Sequence, residues 1–150
     1  MILEEAIKQK TFVSERIRAA VNIYYTSARL QAYENGILKP YGISLQQFNL
    51  MRILKGQKGK PVSISEIADR MIDKMSNASR LAEKLRSKNF LAREVCPKDR
   101  RRVEIRLTDQ GMEVISNASR AMDEAIDQRL ESLSTKEIIK LNELLDKLNL

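Results

Sequence analysis

Leu91-Ala-Arg-Glu-Val-Cys-Pro-Lys-Asp-Arg-Arg-Arg-Val-Glu-Ile-Arg-Leu-Thr-Asp-Gln-Gly111 is the stretch from which the fold of this chain is read. Two short β-like runs flank a tip that carries Lys98, Arg100, Arg101 and Arg102 around one acidic residue, Asp99. In the second run Val103, Ile105 and Leu107 alternate with Arg102, Glu104 and Arg106, the period-two pattern of a half-buried strand. Packing gives no reason for so many cations at one turn. Their mutual repulsion is costly unless a polyanion accepts them, and phosphate is the obvious acceptor. The charge suits DNA.

The cationic excess is local. Residues 55–107 hold 15 basic and 7 acidic side chains, whereas residues 108–150 hold 5 and 9. Within a total of 150 residues and a net charge of +7, the middle third is therefore a basic module ahead of an acidic helical tail. A basic patch points to nucleic acid or to an anionic membrane. Membrane fits less well, because the cations interleave with turn and strand signals rather than lining one amphipathic helix.

Length and composition exclude other classes. A chain of this size makes one domain, residues 1–150, burying roughly 70% of the surface of its unfolded form. Met1-Ile-Leu-Glu-Glu is acidic where a signal peptide needs cations, and no apolar run reaches membrane length, so a cytoplasmic location is expected. One cysteine rules out an internal disulfide framework, and the absence of histidine argues against a zinc site. No metal or cofactor is expected. The commonest general base is missing and no Gly-rich phosphate loop is present, so an enzyme is not expected either.

The chain divides by its own punctuation. Residues 8–35 read as a first long helix, with Val13, Ile17, Ala20, Tyr24 and Ala28 at helical spacing and Gly36, Pro40 and Gly42 breaking it. Ser44-Leu-Gln-Gln47 reads as a capping box that opens a helix burying Phe48, Met51, Ile53 and Leu54 and ending near Gly56. A second box, Ser63-Ile-Ser-Glu66, opens a short helix through Met71, and another helix is expected over residues 75–89. After the two strands Thr108 caps a long helix, and a third box, Ser134-Thr-Lys-Glu137, opens a last one carrying Ile138, Leu141, Leu144, Leu145 and Leu148.

Two short helices, the second basic and followed by a basic hairpin, make a winged helix-turn-helix over residues 44–107. The fold class is mainly α with a small β-hairpin wing. In the second short helix Ala78, Leu81, Ala82 and Leu85 pack inward, leaving Ser76, Asn77, Ser79, Arg80 and Lys84 on other faces. Those side chains can meet phosphates at the positive helix end or reach base edges. Singly, each also fits a capped, solvated helix surface.

These residues resemble the MarR (multiple antibiotic resistance regulator) family of transcription factors. The resemblance rests on the wing triplet Asp99-Arg100-Arg101 and on Leu107-Thr108-Asp109-Gln110-Gly111, with the element order matching across the chain. It implies a homodimer on a palindromic operator, with the terminal helices, residues 8–35 and 108–150, forming the interface. The recognition helix would enter the major groove and Arg101 the minor groove. Asp99 would hold the wing tip, and Lys98, Arg100 and Arg102 would contact phosphate. One departure stands out: the turn Ile72-Asp-Lys-Met75 has no glycine, and Asp73 is a candidate cap for the helix after it.

The long apolar stripes of the first and last helices also favour a dimer on their own, since a basic winged helix of about 60 residues does not need them. The alternative is that they complete a monomer core. The family's binding of small aromatic or amphipathic effectors makes Tyr24, Tyr25, Phe48 and Met51 candidate lining residues, although such residues at helical spacing are commonly plain core. Cys96 sits beside cations that can activate a thiolate, yet a structural or incidental role fits it better. The expected partners are double-stranded DNA, a second copy of the chain and an effector, with no membrane. The reading is a sequence-specific, ligand-responsive repressor. Its rivals are a non-specific architectural DNA binder and a helical protein–protein adaptor.

Overall fold

The computed structural model describes residues 2–148, with the side chains of Arg100 and Arg101 outside the described set. The chain forms two compact units, Met1–Leu45 and Gln46–Leu150.

The first unit holds α1 (Leu3–Ile7), α2 (Glu15–Leu38) and a single 3₁₀ turn at Lys39–Tyr41. The first long helix begins later than its periodicity implies. Extended Ser14 caps it, its hydroxyl accepting from the Ile17 N–H at 3.3 Å, so Val13 lies outside the helix. Gly36 does not break α2, which runs on to Leu38; the real stop is Pro40 followed by Gly42 at φ 67°. Arg18 of α2 ties down α1 through an ion pair with Glu4, Nε to Oε1 2.6 Å. The hydrogen bond from that guanidinium holds the Glu4 carboxyl below its ordinary range. Ile17, Ile23 and Tyr24 on α2 are exposed.

The second unit comprises α3 (Leu45–Gly56, whose first residue belongs to the first unit), β1 (Val62–Ser63), α4 (Ile64–Arg70), α5 (Ala78–Ser87), β2 (Leu91–Cys96), β3 (Asp99–Leu107), α6 (Asp109–Leu130) and α7 (Thr135–Asp146). The three strands form an antiparallel sheet in the order β1-β3-β2, one strand more than the sequence announced. The added strand is two residues long, with Val62 opposite Ile105 and Ser63 opposite Glu104. Ser63 also caps α4. Its hydroxyl accepts from the Glu66 N–H at 3.3 Å while Glu66 accepts from the Ser63 N–H at 3.1 Å, the predicted box.

In the second unit α4, α5 and α6 pack on the sheet, and α3 adds buried side chains to the core. Phe48, Leu50, Met51, Ile67, Leu85, Ile105 and Ile115 are among its buried side chains. The start of α6 is fixed to the link between α5 and β2. The Thr108 N–H donates to the Phe90 carbonyl at 3.1 Å, and its hydroxyl donates to the Asn89 carbonyl at 2.6 Å while accepting from the Gly111 N–H at 3.0 Å. A Cβ on Gly111 would stand 2.0 Å from the Phe90 oxygen, so only glycine permits this approach. Ser134 and Glu137 form the third box at α7. Beyond it Leu141, Leu144, Leu145 and Leu148 are exposed.

Candidate nucleic-acid interface

The link between α4 and α5 is built from side chains instead of a glycine. The Asn49 amide oxygen accepts from the Ile72 N–H at 2.9 Å, and the Lys74 ammonium donates to the Asp69 carbonyl. Asp73 does not cap α5. Its carboxylate accepts from the Met75 N–H at 2.9 Å, closing an Asx turn. The cap is Asn77, whose side-chain oxygen accepts from the Arg80 N–H at 2.9 Å. The helix therefore starts at Ala78, three residues later than expected, with Ser76 and Asn77 ahead of it. The Ser76 hydroxyl is buried and has no partner among the described residues.

From that start Ala78, Ala82 and Leu85 turn inward, while Ser79, Arg80 and Lys84 stand exposed as the spacing predicts. Arg80 and Lys84 have no ion-pair partner among the described residues. Arg86 differs: it pairs with Glu83 at 2.7 Å. A cleft of about 690 Å³ lies between the start of α4, α5 and the sheet, and Asn77, Ser79, Arg80, Arg86, Arg93 and Arg102 line it. Residues from the recognition helix and from the wing thus share one concavity. Arg86 and Arg93 were missed in the sequence, where each reads as an ordinary surface cation.

The wing differs from a hairpin with a four-cation turn. β2 and β3 stay in register from Leu91 opposite Leu107 to Val95 opposite Val103, after which Cys96 faces Asp99. Pro97 and Lys98 alone form the turn, and Arg100, Arg101 and Arg102 fall in the bulge where the register shifts. The side chains of Arg100 and Arg101 lie outside the described residues. Arg102 is held internally: its Nη2 lies 2.7 Å from Glu66 Oε2 and its Nε 3.5 Å from Glu104 Oε1. Glu66 thus joins the cap of α4 to the base of the wing. Its carboxyl is held below the ordinary range, first by the Ser63 hydroxyl and backbone N–H and then by Arg102. Glu94 and Glu104 face each other in register, a repulsive pair that Arg106 (on Glu94) and Arg102 (on Glu104) offset.

A family model described as the MarR family matches residues 43–103. The uncharacterized HTH-type transcriptional regulator YkoM of Bacillus subtilis (strain 168) is 30% identical over 109 residues, 70% of either protein. The chain belongs to the MarR family. Transcriptional repressor MprA of Escherichia coli (strain K12) is 24% identical over 148 residues, covering 99% of this MarR-family chain and 84% of that protein. Among solved structures, a cysteine-to-serine mutant of MarR from E. coli complexed with operator DNA has the same fold. The TM-score is 0.78 at 20% identity over 93% of this chain and 99% of that one. The chain is a DNA-binding transcriptional regulator and not an enzyme.

The four aromatic and methionine candidates for effector contact fall two in each unit. Tyr24 is 76% exposed and Tyr25 half-buried on α2 of the first unit, whereas Phe48 and Met51 are buried in the core of the second. Met51, with no exposed surface, has the burial of a plain core residue. Cys96 is half-buried at the end of β2. Among the described residues no helix is long and apolar enough to cross a membrane.

Proposed function

We propose that this MarR-family regulator is a ligand-responsive repressor that grips a palindromic operator as a homodimer. One observation carries the reading: the cleft that brings Asn77, Ser79 and Arg80 of the recognition helix beside Arg102 of the wing, with Arg80 and Lys84 left unneutralised. Ser79, Arg80 and the free amide edge of Asn77 are suited to base edges in the major groove, and Lys84 to phosphate. Lys98 at the turn and Arg100 in the bulge are assigned to phosphate, and Arg101 to the minor groove, where narrow A·T tracts attract arginine. Asp99 steadies the turn. Arg102, committed to Glu66, contributes mainly by fixing the wing.

Dimerisation is supported by the exposed apolar faces. Leu141, Leu144, Leu145 and Leu148 of the C-terminal segment and Ile17 and Tyr24 of α2 are uncovered in the single chain. Full burial of such side chains is worth about 1.5–3 kcal/mol each, a strong drive to association. A two-fold axis then sets two recognition helices one DNA turn apart. Family membership supports release by a small aromatic or amphipathic effector, for which Tyr24 and Tyr25 are the accessible candidates. Such a regulator works in the cytoplasm, beside the chromosome.

Selection of binding sites from random duplex DNA tests the reading. Enrichment of a palindrome supports it. Affinity indifferent to sequence, with a salt slope set by phosphate contacts alone, supports an architectural binder instead. No binding at low salt leaves the adaptor.

A further inference from the structure

Met75 and Ile72 are among the most exposed apolar side chains of the described chain, at 91% and 86%. Isolated exposed apolar residues are ordinary on protein surfaces, so exposure alone says nothing. Their setting does. Both lie on the turn that leads into α5, and that turn is pinned through the Ile72 N–H to Asn49 and the Met75 N–H to Asp73. Met75 further lines a second cleft, of about 420 Å³, together with Asn77, Arg80 and Lys84. Ile72 does not line it. A thioether is thus set among the polar and cationic groups of the recognition face, two residues ahead of the helix cap.

We propose that Met75 is a specificity-determining residue that reads a thymine by packing on its 5-methyl group in the major groove. This rests on the operator-binding reading above. Among the major-groove edges, adenine, guanine and cytosine offer only hydrogen-bonding groups to a side chain, and thymine alone adds a methyl. Methionine has no strong donor or acceptor, so opposite the other bases it would strip water from polar groups and return nothing. Against thymine it buries a methyl and leaves O4 to a polar neighbour. Met75 is flexible and polarizable, which suits it to cover a small apolar target. The neighbouring Arg80 and Lys84 supply the charge complementarity that brings the duplex to this face.

The test uses the whole protein and duplexes it selects from random DNA. Each thymine is replaced in turn by deoxyuridine, which deletes the methyl and preserves pairing and every hydrogen-bonding group. For the unaltered protein, one thymine per half-site loses about three- to fourfold in affinity, the equivalent of one buried methyl at about 0.8 kcal/mol. Met75→Ala binds the thymine and uracil duplexes equally, whereas Ile72→Ala keeps the discrimination; unchanged thermal unfolding of both variants certifies the comparison. The proposal is overturned if no uracil substitution weakens binding, if Met75→Ala still discriminates, or if selected half-sites lack a thymine at a fixed position. Failure to bind any duplex instead brings down the operator-binding reading itself.

Discussion

Replacing Gly111 by alanine should damage this fold more than a single methyl normally does. The added Cβ would sit 2.0 Å from the Phe90 carbonyl oxygen and 2.8 Å from its carbon, and both neighbours are backbone. Ordinary contact requires the link between α5 and β2 and the start of α6 to part by more than about 1 Å. That movement undoes the hydrogen bonds from the Thr108 N–H to Phe90 and from the Thr108 hydroxyl to Asn89, and disturbs the cap on Gly111. At about 1 kcal/mol for each bond and for the cap, the loss is about 3 kcal/mol. Alanine's better helix propensity returns about 1 kcal/mol, leaving a net loss of about 2 kcal/mol. Urea unfolding followed by circular dichroism measures this directly, as a lowered midpoint at unchanged slope. A Gly111→Ala protein within about 0.5 kcal/mol of the parent would refute the reasoning, because the close approach would then be relieved at no cost.

Further expectations concern the interface. Asn77→Ala removes the cap of α5 and should lower stability by about 1 kcal/mol as well as operator affinity. Asn77→Asp keeps the cap but places a carboxylate at the DNA face, so unfolding should be unchanged while gel-shift affinity falls. Arg101→Ala, from its place in the wing motif, should weaken operator binding by about 1–3 kcal/mol without altering unfolding. Glu66 has a lowered folded pKa, so its contribution is present above the ordinary carboxylate range and is lost as pH falls through the lowered value. Stability of the parent should therefore drop more steeply than that of Glu66→Gln as pH falls through and below the ordinary carboxylate range, measured by thermal unfolding. Leu144→Glu, at an exposed position on α7, should leave the fold intact and shift sedimentation toward monomer.

Features governed by short sequence separations were legible in the chain. The boxes at Ser63 and Ser134, the Thr108 cap and the alternation of β3 all act over a few residues, and each forms as read. Misplaced boundaries came from rival local signals. Periodicity through Val13 masked the Ser14 cap, and Asp73 competed with Asn77 for the start of α5. Gly36 reads as a breaker, yet a helix tolerates it at about 1 kcal/mol. β1 escaped notice because two residues show no period and because Ser63 already signals a cap. The clamp between Glu66 and Arg102 spans 36 positions and leaves no local trace. Without it Arg102 reads as one more phosphate contact. The bulge that sets Arg100, Arg101 and Arg102 apart from the ladder is likewise fixed by pairing register, which composition does not encode.

The most direct measurement is the stoichiometry of the complex on a selected duplex, by sedimentation or native mass spectrometry. Two protomers bound to one duplex, over half-sites about 10 base pairs apart, are predicted. A single protomer on a site without two-fold symmetry would contradict the account.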